Sequence, residues 1–144
     1  MTTEQSRKSE HQLESLNGIW HNQNNSEIES NVSADGMLSG TFTTSANGCS
    51  PETHSLTGFA SGRVVAFSVQ FPLHKCVTSW VGHYSEDGAI ECLWNMALDV
   101  DNDQPLWKST LSGADRFVAG PCKYSLQNSR TAPASHPLWL TPQS

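Results

Sequence analysis

Two central stretches of the chain alternate between apolar and polar positions with a period of two, and no segment shows a convincing helical period. Residues two apart lie on the same face of a β-strand, so this alternation predicts strands with one buried face. The apolar positions that share a face are Val65, Phe67, Val69 and Phe71 in the first stretch and Cys92, Trp94, Met96 and Leu98 in the second.

Asp-Gly and Ser-Gly pairs separate the alternating stretches at residues 35–36, 61–62 and 87–88. Such pairs favour tight turns between antiparallel strands. The pattern therefore predicts an all-β fold, an eight-stranded antiparallel up-and-down β-barrel whose closure removes the sheet edges and whose interior can hold one small ligand. A β-sandwich remains the alternative on the pattern alone. The strands are expected at about 18–22, 26–33, 37–44, 53–60, 63–71, 76–85, 88–98 and 106–119.

Two flanking segments lie outside the predicted barrel of residues 17–119. Residues 1–16 form a polar arm, and residues 120–144 form a tail that contains four prolines. Proline at this density excludes a central strand or a helix. The tail nevertheless carries an apolar cluster at 137–140, including Trp139, which a merely solubilising segment would not need.

Composition narrows the classes of partner. The 144 residues carry a net charge of −6, and only 15% of them are charged. An acidic chain is a poor partner for nucleic acid or an anionic membrane surface, and no apolar run approaches the ~18 residues of a membrane span. The polar N-terminus contains no signal peptide, so we expect either a chain that is not exported by this route or one that begins at its mature domain. Five tryptophans are unusual in so short a chain and indicate a ligand pocket or an interface; the alternative is that they fill the core.

An ordered series of motifs resembles the avidin/streptavidin family over residues 17–118. Each motif alone is weak, but the series contains about one per predicted strand, in family order. The resemblance implies a barrel that binds biotin at its open end, with no enzymatic activity and no cofactor apart from biotin as ligand. The motifs are GIWHNQNNS at 18–26, LSGTFTT at 38–44, LTG at 56–58, AFSV at 66–69, TSWVGHY at 78–84, LW at 93–94 and WKSTLSGADRF at 107–117.

The same resemblance implies the polar contacts to biotin. Asn22 and Ser26 would donate to the ureido oxygen, while Thr44 and Asp115 would accept from the two ureido N–H groups. Phe42 occupies a place where the family usually has a tyrosine hydroxyl, so this chain lacks that donor.

Other positions of the resemblance would contact the rest of the ligand. Thr78 matches the contact to the thioether, and the backbone of Asn47 and Gly48 could donate to the carboxylate. The usual hydroxyl for that carboxylate aligns with Cys76, which leaves the contact in doubt. The walls of the site would be formed by Phe67, Trp80, Trp94 and Met96, with Trp107 matching a residue that reaches into a neighbouring subunit in tetrameric members.

The cysteines resemble those of the disulfide-containing bacterial dimeric avidins. This implies a Cys49–Cys76 bridge and an oxidising compartment, so we expect a secreted or periplasmic protein. Two free thiols are the alternative, and we expect Cys92 and Cys122 to be unpaired.

The resemblance implies a homodimer at minimum, formed through the outward face of the seventh strand. Trp107 is a feature of tetrameric members, so the signs of oligomeric state conflict. The tail around Trp139 could extend the assembly by entering the mouth of a neighbour's pocket.

Three other functions remain open: a lipocalin-like carrier of another small apolar ligand, an enzyme, and a barrel that acts through its loops. The polar set Asn22, Ser26, Thr44 and Asp115 argues against a lipid carrier. An enzyme is disfavoured because the sequence pairs no nucleophile with a nearby base. The six histidines form no short ligand pair, so we do not expect a metal site.

Overall fold

The computed structural model describes residues 15–44, 51–99 and 110–122, and it contains eight strands and one short 3-10 helix. Most strand ends lie within one residue of those predicted, and the predicted start of the last strand at 106 falls outside the described residues. The strands are β1 (Gly18–Asn22), β2 (Glu27–Val32), β3 (Met37–Thr44), β4 (Glu52–Ser61), β5 (Val64–Phe71), β6 (Cys76–Tyr84), β7 (Ala89–Leu98) and β8 (Thr110–Ala119), and the 3-10 helix η1 is Pro72–His74.

Each strand pairs in antiparallel fashion with the next, and β8 returns to pair with β1 through Trp20↔Ala119 and Asn22↔Phe117. The sheet is therefore a closed barrel, which confirms the predicted fold and excludes the sandwich alternative. None of the described residues belongs to a helix long and apolar enough to cross a membrane.

The barrel core is built from the inward-facing alternate residues of the strands. In β5, Val65, Phe67, Val69 and Phe71 are all buried, as the period of two predicted. Trp20 anchors one end of the core, where its Nε1 donates to the carbonyl of Leu16 at 3.0 Å. The Ser30 hydroxyl donates to the same carbonyl at 2.6 Å, so the segment before β1 is fixed against the interior.

The sheet is incomplete between β4 and β5 at one end of the barrel. The ladder between these strands begins only at Leu56↔Val69, whereas the first residues of β4 pair with β3 as far as Thr44↔Glu52. Helix η1 follows β5 directly at this point. The end of the barrel formed by residues 44, 52 and 71–76 is called the mouth below.

After β8 the chain reverses at Gly120, whose φ of 107° lies in the region that favours glycine. Gly120 N donates to the carbonyl of Ile19 at 2.8 Å, and Cys122 N donates to Glu27 Oε1 at 3.2 Å. The Cys122 thiol contacts the carbonyl of Asn25 at 3.4 Å. The described chain thus ends against the turn between β1 and β2, and residues 123–144 lie outside the described residues.

Candidate functional site

Three polar side chains from the ends of β1, β2 and β3 meet inside the barrel. Asn22 Oδ1 accepts from Ser26 N at 2.8 Å and from Asn24 N at 3.1 Å, which holds the turn in place. Asn25 completes the turn with a φ of 63°, a conformation that asparagine tolerates well. The Ser26 hydroxyl then donates to Thr44 Oγ1 at 3.1 Å. The structure therefore brings together the three residues that the sequence placed there.

Two buried polar atoms in this interior have no hydrogen-bond partner among the described residues: Asn22 Nδ2 and Thr78 Oγ1. Thr78 faces inward from β6 and is fully buried. Buried polar groups are nearly always satisfied, and each unmet one costs about 1–3 kcal/mol. Both atoms lie inside the barrel.

Asp115, on β8, is a buried carboxylate that the same interior holds between two donors. Trp80 Nε1 donates to Oδ2 at 2.8 Å, and Gln23 Nε2 donates to Oδ1 at 3.0 Å. Burial raises the pKa of this carboxyl, and the hydrogen bonds from Trp80 and Gln23, together with the nearby Asn22 amide, oppose that rise only in part. The Asn22 amide is thus close enough to lower the pKa of Asp115, although its Nδ2 makes no hydrogen bond of regular geometry.

A carboxylate offers about four lone-pair sites, so Asp115 retains capacity to accept from a ligand. Gln23 was not singled out by the sequence analysis. It also joins the β1–β2 turn to β8, because its Oε1 accepts from Arg116 N at 3.0 Å. The only signal for it was its position beside Asn22.

Aromatic rings form one side of the interior around Trp80. Phe67 stacks on Trp80 with ring centroids 5.1 Å apart and 13° between the planes, and Phe42 packs on it at 5.2 Å and 38°. Phe42 also meets Phe71 edge-on at 5.9 Å. Phe71 was expected only as a strand residue, yet it lies nearer the mouth than Phe67, since its register partner is Cys76.

Trp94 and Met96 face inward from β7, and Met96 is fully buried. The Trp94 indole lies directly over Gly113 of β8, its register partner. A Cβ at position 113 would come within 2.3 Å of Trp94 Cζ2, so only glycine leaves room for the ring there. Gly113, within the family-like motif of β8, is therefore required by the packing of Trp94.

At the mouth, Glu52, His54 and His74 form a cluster that the sequence analysis did not find. His74 Nε2 lies 3.2 Å from Glu52 Oε2, and His54 Nε2 lies 3.5 Å from the same oxygen. The His54 ring also meets Phe71 edge-on at 4.8 Å. Glu52 and His54 are two apart on one strand and share a face, which was a usable signal, whereas His74 joins them only through the fold. Within the described ranges, no group of three His, Cys, Asp or Glu side chains is arranged to hold a metal ion.

Several predicted positions lie outside the described residues: Asn47, Gly48, Cys49, Trp107 and Trp139. Cys76 is described and buried, and burial together with the Glu52 carboxylate raises the pKa of its thiol to about 12. The three cysteines in the described ranges, Cys76, Cys92 and Cys122, are not bridged to one another.

A closed barrel with polar groups, a carboxylate and aromatic rings converging inside one end defines a small-ligand-binding β-barrel. The model of the Avidin family matches residues 10–120, and the chain belongs to that family. The fold is similar to the crystal structure of apo shwanavidin (P1 form), with 27% sequence identity and a TM-score of 0.58. That match covers 69% of this chain and 90% of the other.

Proposed function

We propose that this protein binds biotin, without catalysis, inside the end of the barrel that holds Asn22, Thr78 and Asp115. The observation that carries the proposal is the pair of buried polar atoms, Asn22 Nδ2 and Thr78 Oγ1, that the described protein leaves unsatisfied. Membership of the avidin family supports biotin as the ligand that satisfies them. A purely apolar ligand of a lipocalin-like carrier would leave both atoms unsatisfied.

The ureido group of biotin presents one carbonyl and two N–H groups, and the interior offers the opposite set. Asn22 Nδ2 donates to the ureido oxygen. The Ser26 hydroxyl, which now donates to Thr44 Oγ1 at 3.1 Å, rotates to donate to the same oxygen. Thr44 Oγ1 then accepts from one ureido N–H in place of the serine hydroxyl. Rotation of the Ser26 hydroxyl away from Thr44 thus gives the ligand a donor, Ser26, and an acceptor, Thr44.

Asp115 accepts from the second ureido N–H, and as an ionised acceptor it forms the stronger hydrogen bond. Thr78 Oγ1 contacts the thioether, and the walls of Phe67, Trp80, Trp94 and Met96 cover the bicyclic ring at little cost in side-chain entropy. Phe42 packs on Trp80 and supplies no donor to the ureido oxygen. Asn47 and Gly48 are proposed to donate to the carboxylate, and Trp107 to complete the wall.

Isothermal calorimetry and tryptophan fluorescence with biotin test the proposal. We expect binding in the sub-micromolar range or tighter, with a change in tryptophan emission as the ring is enclosed beside Trp80. Asp115→Ala should weaken binding by about 2–4 kcal/mol, since a ureido N–H is then buried without an acceptor. Asp35→Ala is the matched control, because Asp35 lies in the β2–β3 turn, where its carboxylate accepts from Ser33. No heat and no thermal shift at saturating biotin would refute the proposed function.

The proposed subtype is the disulfide-containing one, with Cys49 bridged to Cys76, and hence a secreted or periplasmic protein. The buried position of Cys76 at the start of β6 supports a structural role for this cysteine. The bridge would tie the segment between β3 and β4 to the mouth.

The proposed assembly is a homodimer at minimum, formed through the outward face of β7 and continued by exposed apolar residues of β4 and β6. Phe59, Val81 and Leu93 are exposed there by 62%, 60% and 68%. A groove of about 760 Å³ runs beside Val81 and Leu93 and is also lined by Ala114 of β8. Exposed apolar surface of this kind commonly marks an interface.

A further inference from the structure

Gln23 is an exposed residue whose side chain reaches a buried carboxylate. The ladder between β1 and β8 ends one residue before Gln23. Beyond that point, Gln23 Nε2 donates to Asp115 Oδ1 at 3.0 Å and to the carbonyl of Ala114 at 3.1 Å. The Gln23 Oε1 accepts from Arg116 N at 3.0 Å. One side chain therefore continues the pairing of the two strands and covers Asp115 from the solvent side.

The two oxygens of Asp115 are held by two donors of different kinds. Trp80 Nε1 donates to Oδ2 at 2.8 Å, while Gln23 holds Oδ1. Trp80 is fully buried and stacks on Phe67 with ring centroids 5.1 Å apart, so the core fixes its position. The hydrogen bonds of the Gln23 side chain all go to β8. With one donor on each oxygen, the carboxylate cannot turn without breaking a hydrogen bond.

We propose that Gln23 is a positioning residue for the ligand, which prolongs the binding of biotin by holding Asp115 in the orientation that accepts from a ureido N–H. The inference rests on the proposed function and assigns control of this acceptor to a residue at the surface. Gln23 acts through Asp115 and not on the ring. A binding group is held in its productive geometry by the hydrogen bonds of its neighbours. Without Gln23 the carboxylate can turn and accept from water, and the ligand should leave faster.

The donor on Oδ1 also favours the charged form of Asp115. Burial raises the pKa of this carboxyl, and the hydrogen bonds from Trp80 and Gln23 lower it. Glutamate at position 23 would place a negative charge and an acceptor beside Oδ1, so the pKa should rise further, whereas the positive charge and donor of lysine should lower it. The protonated carboxyl loses acceptor capacity, so binding weakens as the pH falls through this pKa. The two substitutions should therefore move the acid limit of binding in opposite directions.

The other charged groups around Asp115 are common to all these chains. Among the described residues, Cys92 is its register partner, and burial raises the pKa of that thiol to about 12, so it stays neutral below pH 8. The Arg116 side chain is exposed and pairs with Asp87 and Glu91. The other ionisable side chains described on β1, β2 and β6 are His21, Glu27, Glu29, Cys76, His83 and Tyr84. A difference between variants at position 23 therefore reports on that position.

The test measures how fast tritiated biotinamide leaves the protein between pH 4.5 and 8 after a chase with excess unlabelled biotin. Biotinamide has no carboxyl, so the ligand does not titrate in this range. We expect dissociation to accelerate in acid as Asp115 is protonated. Gln23→Glu should speed dissociation by about three- to tenfold at pH 7 and shift the acid rise to higher pH by about one unit, whereas Gln23→Lys should shift it to lower pH.

Two sets of controls identify the route of the effect. Gln70 is an exposed glutamine on the outer face of β5. Gln70→Glu and Gln70→Lys make the same charge changes away from Asp115, so both should follow the natural chain. In a chain that carries Asp115→Asn, the two Gln23 substitutions should no longer shift the acid rise in opposite directions, because the carboxyl that they act on is gone.

The outcomes separate the inference from the proposed function. Shifts of the same sign in both Gln23 variants would indicate a tether between strands alone and would overturn the inference. Profiles that match those of the Gln70 variants would overturn it too, and in both cases binding of biotinamide by the natural chain would leave the proposed function standing. If neither the natural chain nor the Gln70 variants bind biotinamide at any pH, the proposed function fails, and the inference with it.

Discussion

Asn22 uses the two ends of its side-chain amide for different purposes. Its Oδ1 accepts from two backbone N–H groups and holds the β1–β2 turn, while its Nδ2 is left without a partner in the interior. Aspartate here would keep the acceptor of the turn but lose the donor and add a charge near Asp115. The requirement for asparagine therefore comes from the turn and the site together.

The raised pKa of Asp115 gives a pH dependence of stability in the ligand-free protein. A carboxyl whose pKa is higher in the folded state than its ordinary value of 3.8 binds its proton more tightly when folded. It therefore stabilises the fold at low pH, and that contribution is lost as the pH rises through the folded pKa. The natural chain should gain melting temperature relative to Asp115→Asn as the pH falls from 7 toward 4, as measured by calorimetry.

Asp35→Asn provides a comparison of opposite sign. The hydrogen bond from Ser33 lowers the pKa of Asp35, so this carboxyl stabilises the fold above its unfolded pKa and loses the contribution in acid. The natural chain should therefore keep a constant difference in melting temperature from Asp35→Asn between pH 7 and 4, and should lose melting temperature relative to that variant only as the pH falls below the ordinary pKa of 3.8. A constant difference between the natural chain and Asp115→Asn would contradict the interpretation of Asp115.

The polar groups of the interior, such as Thr78 and Asp115, were predicted from the resemblance to the avidin/streptavidin family, since the apolar alternation of the strands marks only the apolar positions that face inward. The sequence did not predict the mouth cluster. Glu52 fell just before the expected start of the fourth strand, and His74 lies in a connection with no repeating pattern. Their proximity arises from the gap between β4 and β5, which is a property of the ladder and not of local sequence.

At the scale of elements, the strand ends were predictable where the residues between two strands themselves favour a tight turn. The turn before β3 is closed by Gly36 N donating to the Ser33 carbonyl at 2.9 Å, and β3 begins at Met37 as expected. β2 is shorter than predicted, because Ser33 belongs to this turn. β4 begins one residue earlier than predicted, because its first inward residue, Glu52, is polar and partly solvated at the mouth and so does not extend the apolar alternation.

The proposed disulfide would link Cys49, in the connection between β3 and β4, to Cys76 at the start of β6. A Cys49–Cys76 bridge would be worth roughly 3–4 kcal/mol in the chain-entropy model, since it closes a loop of nearly thirty residues. Dithiothreitol should therefore lower the melting temperature of the natural chain by several degrees. Cys49→Ser should already melt lower and show no further response to the reductant, which separates loss of the bridge from general effects of the reagent. An unchanged melting temperature in the natural chain would exclude a stabilising bridge.

At the scale of the whole molecule, barrel closure removes the free sheet edges apart from the gap between β4 and β5, which leaves the outer faces and the terminal segments as the main surfaces for association. The outer face of β4–β7 exposes Phe59, Val81 and Leu93, which supports the proposed dimer. The described chain ends with Cys122 against Asn25, in the turn next to Asn22 and Ser26. This position supports a second contact between barrels, made by the tail. The tail therefore starts next to the proposed site.

The tail is proposed to join dimers through the apolar cluster at 137–140. From Cys122 to Trp139 is 17 residues, which span up to about 55 Å when extended, enough to reach the mouth of a neighbouring barrel. A tail seated there competes with biotin. Biotin binds the state that leaves the site open, so it should move the population toward the dimer.

Light scattering on the full chain and on a chain ending at Cys122, each with and without biotin, measures this shift in assembly. The full chain without biotin should have the largest mass, the full chain with biotin should fall to about twice the 15.7 kDa of one chain, and the truncated chain should stay at twice its own smaller mass with or without biotin. Truncation at Cys122 keeps the contacts of Gly120 and Cys122 with β1 and β2, so a change in mass reports on the tail alone. The same number of chains per particle in all four samples would show that the tail does not bridge barrels.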